Sequence, residues 1–131
     1  VAADLDLDRV VFTGPLNYTA YLALLQVSAC HVYFSYPFVL GWSCLEAMAA
    51  GALVVGSATA PVREVITDGQ NGLLVDFFDQ VSLVDSVVEA LQHPQRYSEL
   101  RQAARASVVQ HYDLERVCLP AQLQLIKALG T

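Results

Sequence analysis

Four short apolar runs recur along this chain: Val10-Val11-Phe12-Thr13, His31-Val32-Tyr33-Phe34, Leu53-Val54-Val55-Gly56 and Leu73-Leu74-Val75. Each is too short for a helix and too continuously apolar for a strand with one wet face. Each therefore reads as a strand covered on both sides, which is the condition of a parallel sheet. Parallel neighbours need crossover connections, and the intervening segments carry helical spacing. Asn17 stands at an N-cap position ahead of Tyr21, Leu24, Leu25 and Ser28, which repeat at three- and four-residue steps. A second helix begins at about Ser43 and stops near Gly51. Pro61 suits the first turn of a short third helix ending near Thr67, and Asp68-Gly69 with Asn71-Gly72 supplies two turns before the last run. The pattern predicts an α/β fold: a Rossmann-like parallel sheet of about four strands, flanked on both faces by helices.

After Asp76 the pattern is helical only, so the fold should end in C-terminal helices. Val81, Leu83, Val84, Val87, Val88 and Leu91 mark one amphipathic helix, broken at His93-Pro94. A second runs from about Gln95 to His111 with Leu100, Ala103, Ala104 and Val108 inward. A third runs from about Leu114 to Leu129, kinked or delayed by Pro120. With no internal repeat or linker, residues 1–131 read as a single unit, and 55% hydrophobic content is enough for a sizeable core.

Charge narrows the partners. A net charge of -6 with seven Lys plus Arg, and no basic run, argues against nucleic acid and anionic membrane surfaces. Every apolar run is shorter than the ~18 residues of a membrane span, and no leader pattern opens the chain, so a soluble, cytoplasmic protein is expected. Cys30, Cys44 and Cys118 are odd in number and sit among apolar neighbours, which suits buried thiols in a reducing compartment better than a disulfide framework or metal site. His31, His93 and His111 read as structural.

In an open parallel sheet, ligands gather beyond the carboxyl ends of strands. The stretch SYPFVLGWSCLEAMAAGALVVGS, Ser35 to Ser57, occupies such a place and holds a single carboxylate, Glu46. Two readings of Glu46 stand side by side. Ser43 followed three residues later by Glu46 is the spacing of a capping box. The helix start at Gly41, Trp42 and Ser43 also offers free N–H groups and the positive end of a helix dipole, which together favour an anion such as a phosphate. Gly41 would let the backbone approach that anion closely.

Four segments occur in order: VVFTGPLNYTAYLALLQVSACHVYFS, LEAMAAGALVVGS, APVREVITDGQNGLLVD and LQHPQRYSELRQAARASVVQHYDLERV. With them the chain resembles the C-terminal, donor-binding half of retaining glycosyltransferases of the GT-B fold, the family that includes sucrose synthases, glycogen synthases and bacterial mannosyl- and glucosyltransferases. The resemblance extends over nearly all of the chain. It implies transfer of a hexose from a nucleoside diphosphate sugar to an acceptor hydroxyl with retention, without a metal or other cofactor. The family places one glutamate, seven residues and a second glutamate around a Gly-containing loop. The second corresponds to Glu46, which the resemblance implies accepts hydrogen bonds from both ribose hydroxyls, a task suited to a carboxylate. Loop N–H groups at Gly41, Trp42 and Ser43 would hold the diphosphate. One carboxylate oxygen can serve the cap and the other the ribose.

The first glutamate's position is Phe38, with Val39 beside it in the same donor loop. Three consequences stay open: the sugar is recognised through backbone groups and another side chain, a different sugar is preferred, or transfer is lost. The resemblance further implies that Glu64 helps close the donor site, the alternative being an exposed helix acid; Gly14, Pro15 and Leu16 follow a strand end and either line the base pocket or form a plain loop. The family's donor half begins with two more strand-helix units carrying an Arg and Lys pair that neutralises the diphosphate, and an acceptor domain precedes them. Neither Arg9 nor Arg63 sits at the matching place. On this reading the chain is a fragment of a larger enzyme, inactive alone, whose uncovered faces favour a homodimer. The catalytic groups and the acceptor are not indicated. The alternatives are a sugar-nucleotide epimerase of the same fold and a degenerate module that binds nucleotide or protein without catalysis.

Overall fold

In the computed structural model, which describes residues 6–35 and 39–130, all of strand β2 (Leu53–Ser57) is buried. It lies between β1 (Cys30–Tyr33) and β3 (Leu73–Val75) and is parallel to both. Cys30 stands opposite Leu53, Tyr33 opposite Gly56, and Ser57 opposite Val75. Alternate β2 side chains point to opposite faces. On the Val54 face, α2 (Trp42–Ala50) contributes Cys44, Ala47 and Met48 to one cluster with Leu25 of α1 (Tyr18–Val27), Val62 of α3 (Ala60–Arg63), Ile66, and Ala104 and Val108 of α5 (Ser98–Tyr112). Gly56 shares this face because a Cβ there would come within 2.9 Å of Val62 Cγ1. Leu53 and Val55 are buried on the other face, and α4 (Gln80–Gln92) packs against all three strands.

The local signals work as their chemistry requires. Asn17 caps α1, its Oδ1 accepting from the Ala20 N–H at 2.9 Å. Gly51 ends α2 at φ 85, a left-handed conformation that disfavours other residues. Asn71 stitches the turn before β3, its Oδ1 accepting from Thr67 N–H at 2.7 Å and its Nδ2 donating to Val65 O at 3.0 Å. Asp79 caps α4, and the Ser82 hydroxyl and N–H that it accepts from hold its carboxyl below the usual range.

The sheet has three strands, not four. Val10–Thr13 joins no ladder among the described residues, and Val11 and Phe12 are 83% and 80% exposed. Apolar content does not make a strand unless a neighbour takes up its N–H and C=O groups. In α4, Leu83 and Val87 are half-buried and Ala90 is buried, whereas Val81, Val84, Val88 and Leu91 are exposed: the apolar set is wider than the strip that the sheet covers. In α5, Ala104 and Val108 are buried but Ala103 is exposed, and a separate 3-10 turn, Pro94–Tyr97, precedes the helix. The helix α3 ends at Arg63, short of Thr67.

Beyond α5, a π-helical turn, Leu114–Cys118, leads into α6 (Leu119–Leu129). Pro120 lies in the first turn of α6, where its missing N–H has no intrahelical role. All three thiols are free, but only Cys44 is fully buried; burial raises its pKa to about 12. Among the described residues no helix is long and apolar enough to cross a membrane.

Candidate functional site

The site is built at the carboxyl edge of the sheet. Past β1, the chain is held against the end of β2 by Ser57, whose buried Oγ donates to Ser35 O at 3.0 Å and accepts from Ser35 N–H at 3.2 Å. Thr59 Oγ1 donates to the same carbonyl at 3.3 Å. Tyr33 secures the far end of the loop, its hydroxyl accepting the Gly41 N–H at 2.6 Å. A Cβ at Gly41 would stand 3.0 Å from that hydroxyl, so the glycine serves a contact inside the chain. Its N–H is therefore engaged and is not the free donor that the sequence suggested.

Gly41 is also the N-cap of α2, with no side-chain capping bond. That overturns the capping box. Ser43 already lies inside the helix, which moves Glu46 too far along to bond back to the capping residue. Instead Glu46 Oε2 accepts a hydrogen bond from Tyr21 Oη at 3.0 Å. The Tyr21 phenol is pushed up to about 12, first by burial and then by the bond to Glu46 and its charge, so it stays a proton donor at neutral pH.

Two backbone donors and one acceptor remain open in this region. The N–H groups of Trp42 and Ser43, at the start of α2, find no acceptor among the described residues. Glu46 Oε1 likewise accepts no hydrogen bond from them. Trp42 and Glu46 border a hollow of about 590 Å³, with Leu40 and Leu45 beside them and Val108, Tyr112, Leu114 and Cys118 across from them. Among the described residues, Glu46 is the one charged side chain in its lining. An apolar hollow with an acid and the open start of a helix at one edge can hold a ligand bearing both an anion and hydroxyl groups.

The structure does not bring every sequence candidate to this place. Val39 is exposed in the loop before α2, and Phe38 lies outside the described residues, as do Tyr36 and Pro37. Glu64 is exposed at the end of α3, where its side chain makes no hydrogen bond or ion pair with the described residues. Gly14, at φ 62, and Pro15 and Leu16 are exposed before α1 and do not line the hollow. Burial lowers the pKa of His31, and His111 Nδ1 lies 2.9 Å from Ser107 O. The sequence pattern assigns no role to Tyr33 and only a helix face to Tyr21. The partner of Tyr21 is 25 positions away, and no local spacing signals that pair.

Residues 1–107 match the family model for glycosyl transferases group 1. The chain belongs to this family. Over 110 residues this group 1 chain is 29% identical to N-acetyl-alpha-D-glucosaminyl L-malate synthase of Bacillus anthracis, covering 84% of this chain and 28% of that protein. Over 120 residues it is 31% identical to glycogen synthase of Mycobacterium tuberculosis, covering 91% of this chain and 29% of that one. The chain thus spans less than a third of the length of these relatives. Sucrose-phosphate synthase from Thermosynechococcus elongatus matches its structure with a TM-score of 0.83 and 29% identity, over 94% of this chain and 31% of that one. The parallel sheet flanked by helices is part of a GT-B glycosyltransferase fold.

Proposed function

We propose that this group 1 chain is the donor-nucleotide-binding part of an enzyme that transfers a hexose from a nucleoside diphosphate sugar to an acceptor hydroxyl, with retention at the anomeric carbon. The observation that carries the reading is Glu46 held by Tyr21 near the start of α2, where the N–H groups of Trp42 and Ser43 find no acceptor among the described residues. The two N–H groups, at the positive end of the α2 dipole, take diphosphate oxygens. The Glu46 carboxylate accepts from the ribose hydroxyls, which sets the nucleotide's register on the helix start. A nucleotide held this way leaves the sugar on the side of the Val39 end of the loop before α2.

In such a transfer, neutralising the charge on the leaving diphosphate should lower the barrier more than any other single effect. Arg63 does not line the hollow, and its Nε donates to Ala58 O at 3.0 Å. In this proposal the neutralising cations, the acceptor site and any acid-base group come from sequence outside these 131 residues. The proposed reaction needs no cofactor besides the donor.

The test is titration of the full-length protein with a panel of nucleoside diphosphate sugars, repeated with Glu46→Gln. Loss of a charged acceptor facing two hydroxyls should weaken donor binding about tenfold or more. Unchanged affinity would remove the ribose role. In the same panel, Phe38→Glu should alter the order of sugar preference, and an unaltered order means that position 38 does not read the sugar.

A further inference from the structure

We infer that Tyr21 is a positioning residue for nucleotide binding: its hydroxyl holds the Glu46 carboxylate in the orientation that meets the ribose, an assignment that rests on the ribose role proposed for Glu46. A glutamate on the second turn of a helix has several open rotamers, and most of them lead to water. The 3.0 Å bond from Tyr21 Oη to Glu46 Oε2 selects among them. No other side chain among the described residues bonds to Glu46. Arg105 borders the smaller hollow that Glu46, Tyr18 and Leu22 line, but its Nη1 donates to the backbone carbonyl of Ala49 and it forms no ion pair with Glu46.

The donor itself is fixed. The Tyr21 ring packs against the core cluster, and the Tyr18 ring stands 6.4 Å from it. The helix that carries it is tied at both ends. Asn17 caps its start, and Arg101 Nη2 donates to Ser28 O and Ala29 O, each at 3.0 Å, just past its end. The position of Tyr21 Oη thus follows from how α1 packs on α2. One hydrogen bond occupies one of about four acceptor positions on a carboxylate, so both ribose hydroxyls can still be accommodated. Fixing the side chain before the nucleotide arrives removes an ordering cost that binding would otherwise carry.

The experiment compares UDP, GDP and ADP with their 2′,3′-dideoxy counterparts, by calorimetric titration of the full-length wild-type protein, Tyr21→Phe, Glu46→Gln and the double variant. Tyr21→Phe keeps the ring and its packing. Wild type should prefer the ribose form of its best nucleotide by about tenfold or more. Tyr21→Phe should cut that preference at least threefold and leave dideoxy affinity unchanged. In the Glu46→Gln background the same substitution should add nothing, since the two residues act as one unit. If Tyr21→Phe keeps the full ribose preference, or weakens both forms equally, the positioning role is wrong while the ribose role of Glu46 stands. If wild type shows no ribose preference, the ribose role itself fails, and this assignment fails with it.

Discussion

β2 and the run Val10–Thr13 are similar as sequence and opposite as structure. Both are short, apolar and rich in β-branched or aromatic residues. Val54 and Val55 are 0% exposed, whereas Val11 is 83% exposed and joins no strand. The difference lies in neighbours. β2 has a parallel partner on each edge and helices over both faces, so its apolar side chains leave water and its backbone has ladder partners on both sides. Hydrophobicity marks a candidate strand; supply of partners decides whether it becomes one.

Mutations can break this comparison. The largest effect should come from Met48→Ala beneath β2, where a fully buried side chain leaves a cavity: a loss of about 3 kcal/mol, read from the urea midpoint. Phe12→Ala should change the same midpoint by less than about 0.5 kcal/mol. Comparable losses would mean that the N-terminal run is packed after all. Next is Gly56→Ala, whose added methyl would meet Val62 Cγ1 at 2.9 Å and should cost about 1–3 kcal/mol by overpacking. The control is Gly14→Ala, which has nothing within 4 Å but sits at φ 62, so it should lose only about 1 kcal/mol of backbone strain. Asn17→Ala removes the cap of α1, the helix that follows the N-terminal run, and should cost about 1 kcal/mol, seen as a lower thermal midpoint.

The smallest effect concerns pH. Burial depresses the pKa of His31 below 6.5, so between the folded and unfolded values the unfolded chain binds the extra proton. Stability from this group is present above about pH 6.5 and declines as pH falls through that window. Denaturant midpoints measured across it should show a shallower slope in His31→Gln, and an unchanged slope would mean that His31 does not carry the effect.

The family and the class of fold were legible in the amino-acid order, because each of their signals is local. Asn17, Gly51 and the Asp68 to Gly72 turn act on residues a few positions away, so their spacing reports their structure directly. The helix start at Gly41, Trp42 and Ser43 was legible for the same reason to within two residues, but that small shift removed the capping box, since Ser43 and Glu46 needed the helix to begin at Ser43. Periodicity found α4 but overestimated its buried face, because period gives direction and not the width of the surface waiting opposite.

By itself, then, the sequence determined that the chain alternates parallel strands with helices, where α1, α2 and α4 start and stop, and which acid stands at the edge of the sheet. Only the tertiary structure decided that Val10–Thr13 stays outside the sheet, that the Gly41 N–H belongs to Tyr33, and that Tyr21 is the group holding Glu46. The reason is distance along the chain. A cap or a turn is settled within a few residues, whereas a strand's partner or a carboxylate's donor is brought in from another element, and only packing determines which one arrives.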